Sequence, residues 1–309
     1  MKCLVTGAGG FIGRYLVEKL LERGCEVFAV DQAAPDMPAA SGLHCMALDV
    51  QDAAQTTKLF EDVRPEAVFH LAAQSYPGAS WEQPALTYNV NVLGSIHVME
   101  AARRLNPAPR TLVVCSSAEY VEHAGAEPIR EDTLLRPTTP YGISKLAEDH
   151  AALLYHQHYG LPTIRIRPFF LIGPRKRGDV SSDFARGIVA IERGVQETLS
   201  VGNLEIVRDL LDVRDGVEAF WTLAQKGVAG EVYNICSGQG YSLRQVLDRY
   251  RALAVKPVRE QLDPKLIRPI DEKARLGDPG KLKALGWVPA IPIERTIEDI
   301  LVYWRAQAT

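Results

Sequence analysis

The sequence predicts an α/β fold, doubly wound about a parallel sheet, with a smaller α/β lobe toward the C-terminus. Three observations predict it. Short apolar runs that read as buried strands alternate with segments of helical period over the first half of the chain. The first of these units carries a glycine-rich turn between strand and helix, and its second strand ends on an acid. From Gly173 onward the alternation breaks into shorter, mixed segments. The expected division is a nucleotide-binding domain over residues 1–168 and a lobe over 169–309, with boundaries that interleave.

Taken in order, residues 2–5 (KCLV) read as a buried strand and 6–13 (TGAGGFIG) as the turn. Residues 14–23 place Leu16, Val17, Leu20 and Leu21 on one helical face, and Gly24 ends that helix. Residues 25–30 (CEVFAV) form the second strand, closing on Asp31. Gly7 permits the tight turn, Gly10 lets the backbone approach a pyrophosphate, and Gly13 lets helix pack close on strand. The helix start, with Phe11 and Ile12 beside those glycines, offers free N–H groups and a partial positive charge to phosphate. Asp31 stands 18 residues beyond Gly13, close to the spacing of an acid that hydrogen-bonds an adenosine ribose. A 2′-phosphate would be repelled there, so the expected cofactor is NAD(H). This is a Rossmann-type opening.

Residues 43–48 are a third strand, followed by Asp49 and Val50, and 53–63 are a helix. Residues 67–71 (AVFHL) are a fourth strand leading into Ala72 and Ala73, with His70 read as a packed core histidine. A loop over 74–83 holds Tyr76 and Trp81. A long helix over 84–105 and a strand over 111–115 (TLVVC) follow, the strand ending in Ser116 and Ser117. Pro140 opens a helix over 141–159, and 163–168 (TIRIRP) are a sixth strand. Ligands of such sheets bind at the carboxyl ends of strands, where Gly7, Asp31, Asp49, Ala72 and Ser116 fall. The second half reads as a basic loop at 174–179, helices at 182–193, 217–224, 243–254 and 293–305, and a strand at 232–235. A mixed polar segment covers 202–215 and a loop-rich one 257–278.

Tyr141 and Lys145 are four apart and share one helix face. An ammonium beside a phenol stabilises the phenolate, so the expectation is a tyrosine pKa below its ordinary value. Such a phenol passes a proton to or from a sugar oxygen, and Ser116 at the adjacent strand end can hydrogen-bond the same oxygen. These are the parts for hydride transfer at a carbinol or ketone.

The bulk numbers exclude other classes. A net charge of −3 argues against a dedicated nucleic-acid surface. Cys3, Cys25, Cys45, Cys115 and Cys236 form no C-x-x-C pair, and an odd count in apolar runs reads as reduced thiols of a cytoplasmic protein. No metal site is expected. No apolar run approaches the ~18 residues of a membrane span, and the immediate entry into a strand leaves no room for a signal peptide.

The chain resembles the extended short-chain dehydrogenase/reductase family (NAD-dependent epimerase/dehydratase) from Met1 to about Trp304. The carriers are T-G-A-G-G-F-I-G, Asp31, Asp49-Val50, H-L-A-A, N-V-L-G-S from Asn91 to Ser95, Ser116, Y-G-I-S-K and the R-P at Arg167. The resemblance implies Ser116, Tyr141 and Lys145 as the catalytic triad, with Tyr141, Lys145 and Pro168 also facing the nicotinamide end. It implies Asp49 and Val50 at the adenine and Leu71, Ala72 and Ala73 at the pyrophosphate. V-G-N-L-E-I-V-R-D at residues 201–209, V-Y-N-I-C-S-G at 232–238 and the R-P at Arg268 resemble the branch of GDP-mannose 4,6-dehydratase and GDP-4-keto-6-deoxy-D-mannose reductase. That implies a nucleotide-diphosphate sugar, GDP-linked by preference. Arg208 and Arg268 would clamp its diphosphate, and Ser117, Phe170, Val180 and Asn203 would line the site. Arg175, Lys176 and Arg177 suit surface ion pairs and substrate contact equally. The family further implies a homodimer through helices 84–105 and 141–159.

Departures sharpen the expectation. Dehydratases of the branch carry a base two residues after the triad Ser/Thr. Here that residue is Ala118, and Glu119 beside it points to the other face of a strand. Phe170 replaces an Asn and Val121 a Gly. The leading expectation is an NAD(H)-dependent reductase of a GDP-4-keto-6-deoxy-hexose. The alternative is a nucleotide-sugar 4-epimerase with tightly bound NAD.

Overall fold

The computed structural model describes residues 1–122, 127–267 and 272–307. Its first half holds strands β1 (Lys2–Thr6), β2 (Glu26–Asp31), β3 (Leu43–Ala47), β4 (Ala67–His70), β5 (Arg110–Val114) and β6 (Thr163–Pro168). Helices α1 (Phe11–Glu22), α2 (Ala53–Val63), α3 (Pro77–Glu82), α4 (Pro84–Tyr88), α5 (Gly94–Arg103) and α6 (Pro140–Tyr159) lie between them. The second half adds β7 (Phe170–Ile172), β8 (Thr198–Val201), β9 (Val207–Asp212), β10 (Val232–Ile235), β11 (Gly240–Ser242), β12 (Arg259–Leu262) and β13 (Ala274–Arg275). Its helices are α7 (Val180–Glu192), α8 (Val213–Lys226), α9 (Leu243–Leu253), α10 (Gly280–Lys283) and α11 (Ile293–Ala306).

The main sheet has seven strands in the order β10-β6-β5-β4-β1-β2-β3, every pair parallel. The order reverses between β1 and β4, which opens the crevice where such sheets bind ligands. On one face Leu16, Val17 and Leu20 of α1 pack with Val217, Phe220 and Leu223 of α8. On the other, Leu59 and Phe60 of α2 meet Val98, Met99 and Ala102 of α5 and Ala152 of α6. Burying both faces explains the near-continuous apolar runs of these strands. The seventh strand and α8 come from the second half of the chain. The strand at 232–235 is therefore an edge of the main sheet, paired with β6 from Val232↔Arg165 to Ile235↔Pro168.

Apart from α10, whose Leu282 joins the core of the main sheet, the remaining elements form a lobe with its own core. Strand β9 pairs with β7 and β13 in parallel and with β11 antiparallel. Ile188 of α7, Tyr250 of α9 and Ile297 and Trp304 of α11 build its core. Segment 202–215, read as mixed polar, contains β9. Its polar residue Asp209 is 0% exposed because it accepts hydrogen bonds from Ser237 N and Oγ, Gly238 N and Gly277 N. The loop-rich segment 257–278 likewise holds β12 and β13.

The long helix expected over 84–105 runs unbroken from Pro84 to Arg103 but is not α-helical throughout. Its turn at Asn89–Leu93 is widened to π-type geometry, a feature common at functional sites. Buried Asn91 supplies the cause: its side chain bonds Gln74 N and O and the Ser144 hydroxyl, joining this turn to α6. Part of the loop over 74–83 is helix α3. Among the described residues no helix is long and apolar enough to cross a membrane.

Candidate active site

The glycine turn follows β1, and α1 begins at Phe11, three residues earlier than its apolar period indicates, with Gly10 as an N-cap that lacks a side-chain hydrogen bond. Its first-turn N–H groups at Phe11, Ile12 and Gly13 therefore face the crevice without intrahelical partners. Gly7 has φ of +70°, and a Cβ there would lie 2.7 Å from Ala72 N; one on Gly13 would lie 2.2 Å from Gly7 O. The turn is thus a cradle fitted to backbone alone, and Leu71, Ala72 and Ala73 rim its other side at the end of β4. The Asp31 carboxylate accepts from Gly9 N at 2.9 Å and from Gln32 N at 2.8 Å. These contacts set an acid beside the turn. Asp49 accepts from Gln51 N at 2.9 Å, and buried Val50 packs against Gly94. Donor-rich helix start, glycine cradle and strand-end acid fit a dinucleotide: Phe11 to Gly13 would meet its pyrophosphate and Asp31 its ribose.

The three residues expected to form the triad come from two elements. Ser116 follows β5 and caps the short turn Ser117–Glu119, its hydroxyl accepting from Ala118 N at 3.1 Å and its own N–H bonding Glu119 Oε1 at 2.8 Å. Because that hydroxyl accepts from within, its proton is free to point outward. Tyr141 sits in the first turn of α6, where Thr139 caps the helix and Ser80 of α3 accepts from Tyr141 N at 3.1 Å. Gly142 lets this turn approach, since a Cβ there would lie 2.7 Å from Ala118 O. The Tyr141 phenol lies close enough to Ser116 and Lys145 for both to favour its phenolate.

The phenol is not acidified. Burial raises the Tyr141 pKa above its ordinary value and outweighs Lys145 and Ser116, which lower it. The expectation of a depressed pKa is corrected: removal from water costs the phenolate more than one ammonium offsets. Lys145 is 3% exposed, and its Nζ donates to Val114 O at 2.8 Å and to Glu148 Oε2 at 2.7 Å. Burial alone would lower its pKa, but Glu148 and then Tyr141 raise it above the ordinary lysine value.

A second charged layer lies beneath. Arg167 Nε reaches Asp149 Oδ2 at 3.0 Å and Glu119 Oε2 at 3.2 Å, and Arg165 Nη1 takes Asp149 Oδ1 at 2.8 Å. Glu119 is 0% exposed and held in this knot by Arg167 and Ser116 N; the strand parity expected there does not apply, because Ser117–Glu119 form a 3-10 turn after β5. Pro168 ends β6 beside the triad's strand.

On the lobe side, Phe170 lies on β7 with the Arg208 guanidinium 5.3 Å from its ring centroid, and Arg208 Nη1 donates to Val207 O and Glu272 O. Ser117 is buried with its carbonyl bound by Arg275. Val180 starts α7 and packs on the lobe core. Asn203 stands apart: its Oδ1 accepts from Glu205 N, and it lines a depression of about 410 Å³ with Arg244 and Glu260, in which no triad residue takes part. Arg268 lies outside the described residues. Arg175 forms a bidentate pair with Glu18, Lys176 pairs with Asp179, and Arg177 lies 5.8 Å from the Trp304 ring. These three basic residues therefore have intramolecular partners.

The sequence reading passed over Glu148, Ser80 and Arg275. Glu148 has a visible signal, its i,i+3 spacing from Lys145, but that spacing is equally common on solvated helices.

The chain matches the family model described as GDP-mannose 4,6 dehydratase over residues 4–300. It is 31% identical to the GDP-6-deoxy-D-mannose reductase of Pseudomonas aeruginosa, over 99% of this chain and 98% of that one. Two solved structures are similar along the whole fold. RMD from Pseudomonas aeruginosa, complexed with NADPH, has a TM-score of 0.85 at 30% identity over 99% of both chains. The UDP-glucose 4-epimerase of Thermus thermophilus, in complex with NAD, has a TM-score of 0.89 at 30% identity over 100% of both chains. On these matches the chain belongs to the extended short-chain dehydrogenase/reductase family of NAD(P)-dependent enzymes, in the epimerase/dehydratase division that the GDP-mannose 4,6 dehydratase model describes.

Proposed function

We propose that this protein is a reductase that acts on the C4 ketone of a GDP-4-keto-6-deoxy-hexose and yields a GDP-6-deoxy sugar of the rhamnose type. The observation that carries the reading is Ala118. It stands where the dehydratases of the branch place a carboxylate base, and the neighbouring Glu119 is held by Ser116 N and Arg167. Without a base at that position, redox at C4 remains. The similarity to the Pseudomonas aeruginosa reductase supports the same choice.

The chain's residues divide the work as follows. NADH supplies the hydride when bound. Ser116, whose hydroxyl already accepts from Ala118 N, donates to the substrate oxygen and fixes its position. Tyr141 gives its phenolic proton to that oxygen as negative charge develops there. A phenol held above its ordinary pKa stays protonated at neutral pH, which suits a proton donor better than a base. Lys145 keeps a positive charge beside the phenolate that remains. Arg208, set over Phe170, would meet the diphosphate, a task that suits a planar, permanent cation. RMD was solved with NADPH; NADH is assigned here because the Asp31 carboxylate at the turn would repel a 2′-phosphate.

A second reading, nucleotide-sugar 4-epimerase with retained NAD, is favoured by the likeness to the Thermus thermophilus enzyme. The experiment supplies GDP-4-keto-6-deoxy-mannose and NADH to nucleotide-free protein and follows absorbance at the reduced nicotinamide band. A reductase consumes one NADH per sugar. An epimerase, assayed as purified with its retained NAD on a nucleotide-linked 4-hydroxy-hexose, interconverts C4 epimers with no added reduced cofactor, and that outcome would replace the first reading.

A further inference from the structure

We propose that Glu148 is a positioning residue for Lys145: its carboxylate, buried beneath the triad, pins the ammonium against the end of β5 and keeps it charged toward Tyr141. The inference rests on the reading that Tyr141 and Lys145 act as a pair, and its test can fail separately from the choice of substrate.

The geometry carries it. An ammonium has three donors. Among the described residues two are taken, by Val114 O at 2.8 Å and Glu148 Oε2 at 2.7 Å. The third is left for the crevice side, where Tyr141 stands one turn earlier on the same helix. The Glu148 side chain is 0% exposed, and its Oε1 has no hydrogen-bond partner among the described residues.

The groups around the pair leave Lys145 as the cation that Glu148 serves. His70 of β4 lies 3.8 Å from Oε1. Burial and the nearby Lys145 charge hold its pKa down to about 3, so it is neutral, and its ring nitrogens are taken by Thr6 and Ser95 hydroxyls. Cys115, which follows β5, is kept protonated by burial and neighbouring carboxylates. Asp149, next in sequence, pairs with Arg165 and Arg167, and Glu119, whose charge raises the Tyr141 pKa, pairs with Arg167.

A buried ion pair is weak evidence for stability, since apolar residues of similar volume often do as well. Its place directly under the triad lysine has a functional account instead. Removing the negative charge strands an ammonium in a desolvated site, where it gives up its proton at lower pH. Tyr141 then loses the neighbour that stabilises its phenolate.

The test is Glu148→Gln, read by NMR titration of the Lys145 side chain, with Lys145→Met used to assign the signal. This readout needs no sugar substrate. The wild-type lysine is expected to stay charged past its ordinary midpoint of about 10.4. In Glu148→Gln its midpoint should fall by at least about one unit, a tenfold change in proton affinity. The alkaline limb of kcat/KM should move down by a similar interval, with the sugar KM changed less than about threefold, and Glu148→Asp should recover part of the shift. A variant that only melts earlier, with Lys145 titration and pH profile unchanged, overturns the proposal. So does a wild-type Lys145 midpoint below 10.4, which decides the matter if the variants do not fold. A shifted lysine in a protein that turns over no nucleotide sugar would sink the reductase reading and leave this inference standing.

Discussion

Replacing Arg167 with methionine probes the charged layer beneath the triad. The guanidinium is 2% exposed. It touches Asp149 at 3.0 Å, Glu119 at 3.2 Å and the Tyr120 hydroxyl at 3.0 Å, and lies 5.0 Å from the Tyr120 ring. Methionine keeps length and volume but removes the charge. Asp149 retains Arg165 at 2.8 Å, whereas Glu119 loses its cation. Stranding one partner of a buried pair costs about 3–5 kcal/mol. At roughly 2–4 °C per kcal/mol for chains somewhat smaller than this one, Tm should fall by on the order of 6–20 °C. The pH dependence has a definite sign. Burial, with the charge of Asp149, already holds the Glu119 pKa well above the carboxylate range, and Arg167 opposes them. A carboxyl raised in the folded state contributes stability at low pH that is lost as pH rises through its folded pKa. Without Arg167 that loss grows, so the gap between variant and wild type should be wider at pH 8 than at pH 5.5. Adding Glu119→Leu should recover more than half of it. Differential scanning fluorimetry at the two pH values measures all three quantities. A fall under about 2 °C, equal gaps at both pH values, or no recovery in the double variant would refute the reasoning.

Two further outcomes follow from other parts of the molecule. The His70 pKa of about 3 lies below the unfolded value, so the unfolded chain binds a proton below about pH 6.5 that the folded chain does not. Its contribution is present above that pH and is lost as pH falls, by up to about 1.4 kcal/mol per unit. His70→Gln should flatten the curve of Tm against pH between 6.5 and 4.5, and parallel curves would contradict the assignment. In Gly13→Ala the new Cβ would lie 2.2 Å from Gly7 O and 2.7 Å from Ala8 Cα, both backbone. Helix α1 must move off the turn, so calorimetry should show NADH affinity reduced at least about tenfold. Undiminished affinity would place the pyrophosphate elsewhere.

What the sequence made legible is what local chemistry determines. The turn at Gly7 to Gly13 could be read because a positive φ and two backbone approaches admit only glycine. Strands β1 to β6 could be read because burial on both faces leaves continuous apolar runs. The partner of β10 could not: Val232–Ile235 is plainly a strand, but its pairing with β6 spans over sixty residues of chain. Strand β9 was hidden by Arg208 and Asp209, whose charges suggest solvent until the backbone N–H groups around Asp209 are seen. The same holds at the site. Tyr141 and Lys145 are marked by their spacing, but the sign of the phenol's shift depends on how much water the fold excludes. Glu148 looks like half of a surface pair until α6 is laid against β5.

The most direct measurement is the rate of NADH oxidation with GDP-4-keto-6-deoxy-mannose by wild type and by Tyr141→Phe. Proton donation from the phenol predicts stoichiometric NADH consumption by wild type and a rate about 10²–10⁴-fold lower in the variant, with NADH affinity preserved. Equal rates in the two proteins would contradict it.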